Sequence, residues 1–368
     1  MALKSAGIKL SYLLALMMLL PVVSRSGSLL YQGELAALAT AERDTDDQLT
    51  GRAALRYLPE LAQDWGVSNS FDLRAELAGA ISGSVSGGDE LTGDFELNLH
   101  RCWVRLNRHL WELRAGLQKL NFGPARVLRV LRWFDTVNPS DPTGYSKGVT
   151  GVTLRVTPTP LSTVRGWMLV DDSGTQQLET EQSTIAAGGR IQLPAGRGEL
   201  ALTGHTRRLE DSGRENRIAL DGSWDLGVGL WFESLLQHND VQNLAPWSNL
   251  TTYGVDYTFD WGNGLHLLSE LLVAHSGFDF AGSSDNVSQS HYTAFMADYP
   301  LTIFDSLSLL MLLDDENSSF VMLDWGHLTD YWSLHLQGFL SDNVSSAALA
   351  LNENTPDNGV RILAIYNH

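Results

Sequence analysis

The sequence predicts an all-β fold, a transmembrane antiparallel up-and-down β-barrel of about 18 strands (16–18) with one loop inserted into the lumen. Three observations support this prediction. Polar and apolar residues alternate with period two, the connections between these runs are alternately long and short, and large aromatic residues lie beside the short connections. Trp and Tyr at a common depth are typical of a membrane–water interface.

The composition excludes several classes of protein. Among 368 residues there are 43 acidic and 25 basic side chains, which give a net charge of −18. This balance argues against a nucleic-acid partner, which needs a basic surface. The single cysteine, Cys102, excludes a disulfide framework and a cysteine-based zinc site. No apolar run after residue 23 approaches the roughly 20 residues of a membrane-spanning helix, so strands would have to cross the membrane.

The N-terminus has the layout of a secretory signal peptide. Lys4 and Lys9 precede an apolar stretch from Leu10 to Val23, and small residues follow. An anchor helix is the weaker alternative, because so short a stretch cannot cross the hydrocarbon layer. We therefore predict a signal peptide at residues 1–26 and a barrel at 27–368, exported to the bacterial outer membrane.

The alternating runs are long for a soluble sheet. Phe71, Leu73 and Ala75, for example, alternate with Asp72 and Arg74. The runs extend over about 10–14 residues, whereas a tilted membrane strand needs about 9–11 and soluble strands average about 5–6. The clearest runs cover residues 29–37, 71–81, 185–193, 252–259 and 360–366.

The connections alternate in length, which is typical of outer-membrane barrels. Long polar connections are predicted at 41–50, 83–91, 122–147, 172–182, 209–214, 239–248, 276–288, 314–318 and 342–356. Short turns are predicted at 62–69, 107–109, 158–161, 194–197, 224–227, 260–264, 300–304 and 328–331. A soluble propeller or sandwich is the alternative. A propeller would show an internal repeat of roughly 40 residues, and none is visible. A sandwich would have shorter strands without this alternation of connection lengths.

The polar faces of the runs predict a water-filled lumen. Arginine on the lipid face would cost about 2–4 kcal/mol near the membrane midplane, so these positions should line the interior. A barrel of about 16–18 strands leaves an aqueous channel unless it is plugged. The alternative is that the charges pair across strands and only rigidify the wall. The positions include Arg56, Arg74, Glu76, Arg155, Arg165, Arg190, Gln192, Glu199, His205, Arg207, Arg217, Glu233, Asp256 and Glu270.

One connection, residues 122–147, interrupts the strand pattern. It is too apolar for a solvated loop, so we predict that it folds inward and packs against the barrel wall. Fixed positive charge at a constriction would raise the local concentration of anions. The alternative is that the arginines pair with Asp135, Asp141 or acids of the lumen. The three arginines, spaced by three residues, are Arg126, Arg129 and Arg132.

Two stretches in this region carry a family resemblance. Arg114 to Gly123 (RAGLQKLNFG) and Phe134 to Asp141 (FDTVNPSD) resemble the strand-and-loop signature of outer-membrane porins of the alginate-export type and their uncharacterised relatives. The resemblance implies a barrel of about 16–18 strands with this loop inside the lumen. It also implies pore-facing side chains at Arg114 and Gln118, and a loop organised by Asp135, Asn138 and Asp141.

The chain departs from that pattern in three ways. Phe122 stands where the relatives have Trp, and the chain ends on His368 where such barrels usually end on Phe. The predicted lumen positions also show no dense arginine ladder of the kind a polyuronate exporter needs. Alginate itself is therefore not an expected solute.

The predicted function is an outer-membrane porin-like channel that passes small hydrophilic, including anionic, solutes by diffusion. The alternative is a plugged, non-conducting barrel that acts as a surface binding or scaffold protein. No catalytic residues, cofactor or metal site are predicted, because dinucleotide, phosphate-loop, metalloprotease and Gly-x-Ser-x-Gly motifs are absent. The expected partners are outer-membrane lipid and small hydrophilic solutes, with no nucleic acid and no prediction of oligomeric state.

Overall fold

The fold is known from a computed structural model. The structure describes residues 28–43, 49–68, 71–87, 91–135, 137–146, 148–170, 185–208, 213–239, 247–278, 288–315, 318–342 and 358–368. The signal peptide predicted at residues 1–26 lies outside the described residues.

Eighteen β-strands follow one another along the described chain. Their side chains point alternately to the two faces of the sheet, which is the period read from the sequence. The strands are β1 (Leu29–Arg43), β2 (Leu49–Ser68), β3 (Phe71–Gly87), β4 (Leu91–Arg108), β5 (Trp111–Gln118), β6 (Val149–Thr159), β7 (Ser162–Val170), β8 (Ile185–Ala195), β9 (Gly198–Arg208), β10 (Arg214–Asp225), β11 (Gly229–Asn239), β12 (Trp247–Phe259), β13 (Leu265–Phe278), β14 (Ser288–Pro300), β15 (Asp305–Asp314), β16 (Ser319–Leu328), β17 (Trp332–Asp342) and β18 (Asn358–Asn367).

The sheet closes on itself. Each strand pairs antiparallel with its neighbours in sequence, and β1 pairs with both β2 and β18. The closing pair extends from Glu34 opposite Asn367 to Arg43 opposite Asn358. Closure satisfies the backbone groups that a free sheet edge would leave unpaired in lipid. The predicted closed antiparallel barrel of 18 strands is confirmed.

The two faces of the barrel differ in polarity. On β10, Ile218 and Leu220 are 59% and 45% exposed on the outer face, while Arg217, Ala219 and Asp221 alternate with them and are buried inside. Apolar side chains outside and polar ones inside are the arrangement expected for a barrel with lipid around it and water within.

One predicted turn is wrong. The sequence predicts a turn at residues 62–69, but β2 continues to Ser68 and β3 begins at Phe71. Asp64 lies inside the strand, where its carboxylate is 3.4 Å from the guanidinium of Arg74 on β3. A polar lumen tolerates such a residue within a strand, so polarity alone did not mark the end of β2.

Residues 119–148, here called the inserted segment, connect β5 to β6 inside the barrel. Their apolar side chains are buried in one cluster with apolar side chains of β6 to β8, β10, β11 and β13 to β17. Burying one such side chain contributes about 1.5–3 kcal/mol, so the cluster fixes the segment against the wall. No described residue belongs to a helix that could cross a membrane. The cluster includes Leu128, Leu131, Trp133, Leu268, Leu272, Leu310, Leu312 and Phe339.

Candidate functional site: the barrel lumen

A carboxylate on the wall binds the backbone of the inserted segment. Glu270 of β13 accepts hydrogen bonds from the N–H groups of Arg126, Val127 and Leu128 at 2.7, 3.0 and 2.6 Å. The indole N–H of Trp231 donates to the same carboxylate at 3.0 Å. Successive backbone N–H groups that converge on one anion form a nest, and the inserted segment supplies such a nest to Glu270.

A second carboxylate lies two strands away. Glu233 of β11 accepts hydrogen bonds from the N–H groups of Ala125 and Leu131 at 2.9 and 3.0 Å. Between the two carboxylates, the hydroxyl of Thr252 on β12 donates to the carbonyl of Leu128 at 2.6 Å. Glu233 is opposite Thr252, and Glu270 is opposite Gly254 two residues farther along β12, so side chains of three adjacent strands hold residues 125–131.

Aromatic rings complete this attachment. The ring of Phe134 lies 5.2 Å from that of His205 and 5.8 Å from that of Trp167, both near perpendicular. Phe122 stacks on Trp167 at 5.6 Å, and Trp133 lies 5.6 Å from His205. Such contacts stabilise packing by about 0.5–1.5 kcal/mol each beyond area burial, so the segment is also held by β7 and β9.

The second half of the segment docks on the other side of the barrel. Tyr145 stacks on the imidazole of His100 at 4.9 Å, and the guanidinium of Arg56 lies 4.6 Å from the centre of the Tyr145 ring. A β-bulge places His100 there. The consecutive β3 residues Ala78 and Gly79 pair with Arg101 and Leu99 of β4, so His100 has no partner in the register. Bulges redirect a side chain in this way.

The predicted constriction arginines differ in their surroundings. Arg126 is exposed, and its side chain makes no hydrogen bond or ion pair with a described residue. Arg129 binds Asp135 with two hydrogen bonds of 3.0 and 2.9 Å, and it also donates to the Asn121 side chain at 2.5 Å. Arg129 therefore pairs with Asp135, which was the alternative to a constriction role in the sequence analysis.

Arg132 is also held within the inserted segment. Its guanidinium donates to the carbonyl of Val137 at 3.0 Å. Burial lowers the pKa of Arg132 to about 10, which leaves the side chain protonated at neutral pH. Arg126 is thus the member of the predicted trio whose charge is exposed to solvent.

Two further predicted residues form local turns. The Asn138 side chain accepts hydrogen bonds from the N–H and the hydroxyl of Ser140, both at 2.9 Å. Asp141 accepts the N–H and the hydroxyl of Thr143 at 2.9 and 2.7 Å, and its carboxylate lies 3.9 Å from Arg56. Asx turns of this kind fix a backbone that no strand supports.

Arg114 and Gln118 lie on the strand that leads into the inserted segment. Arg114 is half-buried and pairs with Glu112 at 3.2 Å. Gln118 is 1% exposed, and it accepts the hydroxyl of Thr153 on β6 at 2.9 Å. Gln118 therefore fastens the wall where the segment leaves it.

The absence of an arginine ladder, predicted from the sequence, is wrong. The register places Arg105 opposite both Arg74 and Arg114, and Arg165 opposite both Arg155 and Arg190. Neighbouring strands lie about 4.8 Å apart, so these side chains form one row with a step of two residues between β5 and β6, where Arg114 is opposite Thr153 and Arg155 is opposite Glu112. Sequence reasoning missed Arg105, and only the pairing of strands brings the others together. The row comprises Arg74, Arg105, Arg114, Arg155, Arg165 and Arg190.

A cavity of about 210 Å³ adjoins this row. It lies between residues 121–124 of the inserted segment and the inner face of β7 to β10. Arg190 lines it and is bound to Asp221 at 2.5 and 2.7 Å. Arg165 also lines it and makes no ion pair with any residue in the described ranges. The cavity therefore contains one guanidinium that is available to an anion.

The barrel is similar to solved structures of other proteins, although its sequence matches no family model. No family model matches the sequence, and no curated protein matches it. Among solved structures, Pseudomonas aeruginosa OccK5 (OpdH) is similar with 10% identity, covering 93% of this chain and 98% of that chain with a TM-score of 0.59. The outer membrane protein opdK from Pseudomonas aeruginosa is 11% identical, covering 93% of this chain and 98% of that chain with a TM-score of 0.59. The chain has the fold of an outer-membrane porin.

A third similar structure is that of Pseudomonas aeruginosa OccK2 (OpdF) in complex with glucuronate, at 12% identity and a TM-score of 0.57, covering 92% of this chain and 98% of that chain. The three structures support a porin-like barrel, while the narrower resemblance to alginate-export-type porins stays a prediction. In the described part of this porin-like barrel, no three His, Cys, Asp or Glu side chains are grouped so that they could hold a metal ion.

Proposed function

We propose that this chain is a bacterial outer-membrane channel through which small hydrophilic solutes diffuse, with a preference for anions. The observation that carries the proposal is the arginine row on β3 to β8 beside a cavity lined by Arg165, which makes no ion pair with a described residue. Fixed positive charge along a narrow aqueous path raises the local concentration of anions. The complex of OccK2 with glucuronate, in a barrel of the same fold, supports a small carboxylate as the type of solute.

The row keeps a net positive charge, because its six arginines have four carboxylates beside them, those of Asp64, Glu76, Glu112 and Asp221. Glu112 lies 3.9 Å from Arg105, 3.2 Å from Arg114 and 3.5 Å from Arg155. One carboxylate therefore serves three guanidinium groups. At the cavity, Arg190 is paired with Asp221, so the guanidinium of Arg165 attracts an anion most strongly.

Arg126 adds to this field from the inserted segment. Its exposed side chain makes it the best candidate for the constriction role predicted for the three arginines. Arg129 and Arg132 act instead by holding the shape of the segment, because their guanidinium groups bind Asp135 and the Val137 carbonyl. The resemblance of residues 114–123 and 134–141 to alginate-export-type porins remains a hypothesis.

Current through single channels in a planar bilayer tests the proposal. With a salt gradient across the membrane, we expect an open conductance and a reversal potential that shows anion preference. Arg165→Gln should reduce that preference, whereas Arg165→Lys should retain most of it. A correctly folded barrel that never conducts would refute the channel.

The second candidate is a plugged barrel that binds a partner at the cell surface. The observation in its favour is the packing of the inserted segment in one buried apolar cluster with side chains of β6 to β8, β10, β11 and β13 to β17. Deletion of residues 122–147 separates the two functions. A channel should conduct before the deletion and more strongly after it, whereas a plugged barrel should conduct only after it.

A further inference from the structure

The cavity beside the inserted segment contains one carboxylate that makes no ion pair with a cation of the described residues. Glu199 of β9 lines the cavity and is exposed there. Its side chain accepts a hydrogen bond of 2.7 Å from the amide of Gln192 and makes no ion pair within the described ranges. The other acidic residue of the lining, Asp221, is buried and paired with Arg190. The fixed charges that face a solute are therefore one guanidinium, Arg165, and one carboxylate, Glu199.

These two charges lie at different heights in the lumen. Arg165 is opposite Arg190 on β8, whereas Glu199 is opposite Pro194, four residues farther along the same strand. Four residues of a strand span roughly 13 Å. Glu199 lies on the side of the short connection between β8 and β9. A solute bound at Arg165 therefore passes Glu199 when it leaves toward the end of the barrel where β8 connects to β9.

The separation has a consequence for charge selectivity. A solute with a carboxylate at Arg165 meets an acceptor oxygen at Glu199, which favours a hydroxyl or N–H donor at its other end. A second carboxylate there would be repelled, since like charges a few ångströms apart with little water between them interact strongly. The volume of about 210 Å³ is below the roughly 300–1,000 Å³ of drug-sized pockets, so the solute must be compact.

We infer that Glu199 is a specificity-determining residue that makes the channel pass compact monoanions with hydroxyl or N–H donors in preference to dianions. The inference rests on the proposed channel function. It differs from general anion attraction, because the arginine row alone would favour a dianion over a monoanion. Glu199 reverses that order at the cavity.

Permeability to two matched sugar acids tests this inference. Gluconate and glucarate share one carbon chain and differ in that glucarate has a carboxylate where gluconate has a terminal hydroxymethyl group. The purified full-length barrel is placed in a planar bilayer, and reversal potentials with each sodium salt give their permeability ratio. The native channel should favour gluconate. Glu199→Gln keeps an acceptor oxygen but removes the charge, so glucarate permeability should rise about tenfold and gluconate permeability should change less than about twofold.

Two further variants control the experiment. Glu199→Asp keeps the charge and should retain the preference for gluconate. Asp225→Asn removes one negative charge at the turn after β10, outside the cavity lining, and should leave the ratio unchanged. An equal rise of glucarate permeability in Asp225→Asn would attribute the effect to overall charge and overturn the inference.

The failures of the inference and of the channel are distinguishable. If the native barrel passes both anions and Glu199→Gln does not change their ratio, Glu199 has no selective role while the channel function stands. If a folded native barrel, verified by its β-sheet circular dichroism, passes neither anion nor chloride, the proposed function itself fails. Arg165→Gln should lower the permeability of both sugar acids, which sets it apart from the Glu199 variant.

Discussion

The carboxylate of Glu270 on the barrel wall accepts a hydrogen bond of 2.6 Å from the backbone N–H of Leu128 in the inserted segment, 142 residues apart in sequence. Glu270 is 1% exposed, and the hydrogen-bond donors that reach it are backbone and indole N–H groups. A buried carboxylate normally needs strong hydrogen bonds or a cation. Here the backbone of the inserted segment supplies them, so the position of the segment depends on the acceptor geometry of one side chain.

Replacing this acceptor should loosen the inserted segment. Glu270→Gln keeps one acceptor oxygen and replaces the other with an NH₂ group. That group cannot accept the hydrogen bonds that the backbone N–H groups donate in the native protein. Each orphaned N–H costs about 1–3 kcal/mol, so the free energy of unfolding should fall by at least that amount. Denaturant unfolding followed by tryptophan fluorescence measures it, because Trp133 belongs to the segment and Trp231 lies beside it.

Glu96→Gln is the matched control for that experiment. Glu96 of β4 is exposed, and its described contact is a hydrogen bond from Asn98. Its replacement should change the free energy of unfolding by no more than about 0.5 kcal/mol. Equal stability of the Glu96 and Glu270 variants would show that the wall carboxylates do not hold the segment.

Charge reversal should separate two arginines that are only three residues apart. Arg126→Glu should shift the reversal potential toward cation preference with little loss of stability, because Arg126 is exposed. Arg129→Glu should destabilise the barrel by about 3–5 kcal/mol, because it leaves the buried Asp135 without its partner. Bilayer recordings and denaturant unfolding of both variants test this pair of outcomes, and the reverse assignment of effects would contradict it.

The glycine in the RAGLQ stretch of β5 should be irreplaceable. Gly116 has a φ of 121°, and a Cβ there would lie against the carbonyl oxygen of Cys102 on β4. Gly116→Ala should therefore reduce the yield of folded barrel. Gly204→Ala on β9 is the control, since nothing lies within 4 Å of a Cβ at that position. Circular dichroism after refolding measures both yields, and equal yields would contradict the prediction.

The strands of this barrel could be predicted because their signal is local. Alternation along β3 or β12 needs only neighbouring residues, and closure follows once the strands are even in number and lipid surrounds them. The end of β2 was missed because Asp64 has the polarity of a turn residue but pairs with Arg74 inside the lumen. Polarity does not distinguish a turn from a strand whose inner face contacts water.

The candidate site depended on relationships that no local pattern contains. The sequence marked Arg114 and Arg165 as lumen positions, but only the register of β4 to β8 aligns them with Arg105 in a row. Glu233 and Glu270 were expected among the lumen acids, yet their hydrogen bonds to the inserted segment join residues more than a hundred positions apart. The pairing of Arg129 with Asp135, six residues away, was within reach and was one of the alternatives considered.

The anion preference of the channel should weaken as salt rises. Arg126 is exposed, and Arg165 faces the aqueous cavity, so mobile ions screen both. The Debye length is about 10 Å at 0.1 M salt and about 3 Å at 1 M. At 1 M salt these charges therefore act only on ions that come into close contact with them. Reversal potentials measured at one concentration ratio but at two absolute concentrations should therefore approach zero in the more concentrated pair. A preference that persists unchanged at 1 M would mean that anions bind a desolvated guanidinium directly, and Arg165→Gln should then abolish it.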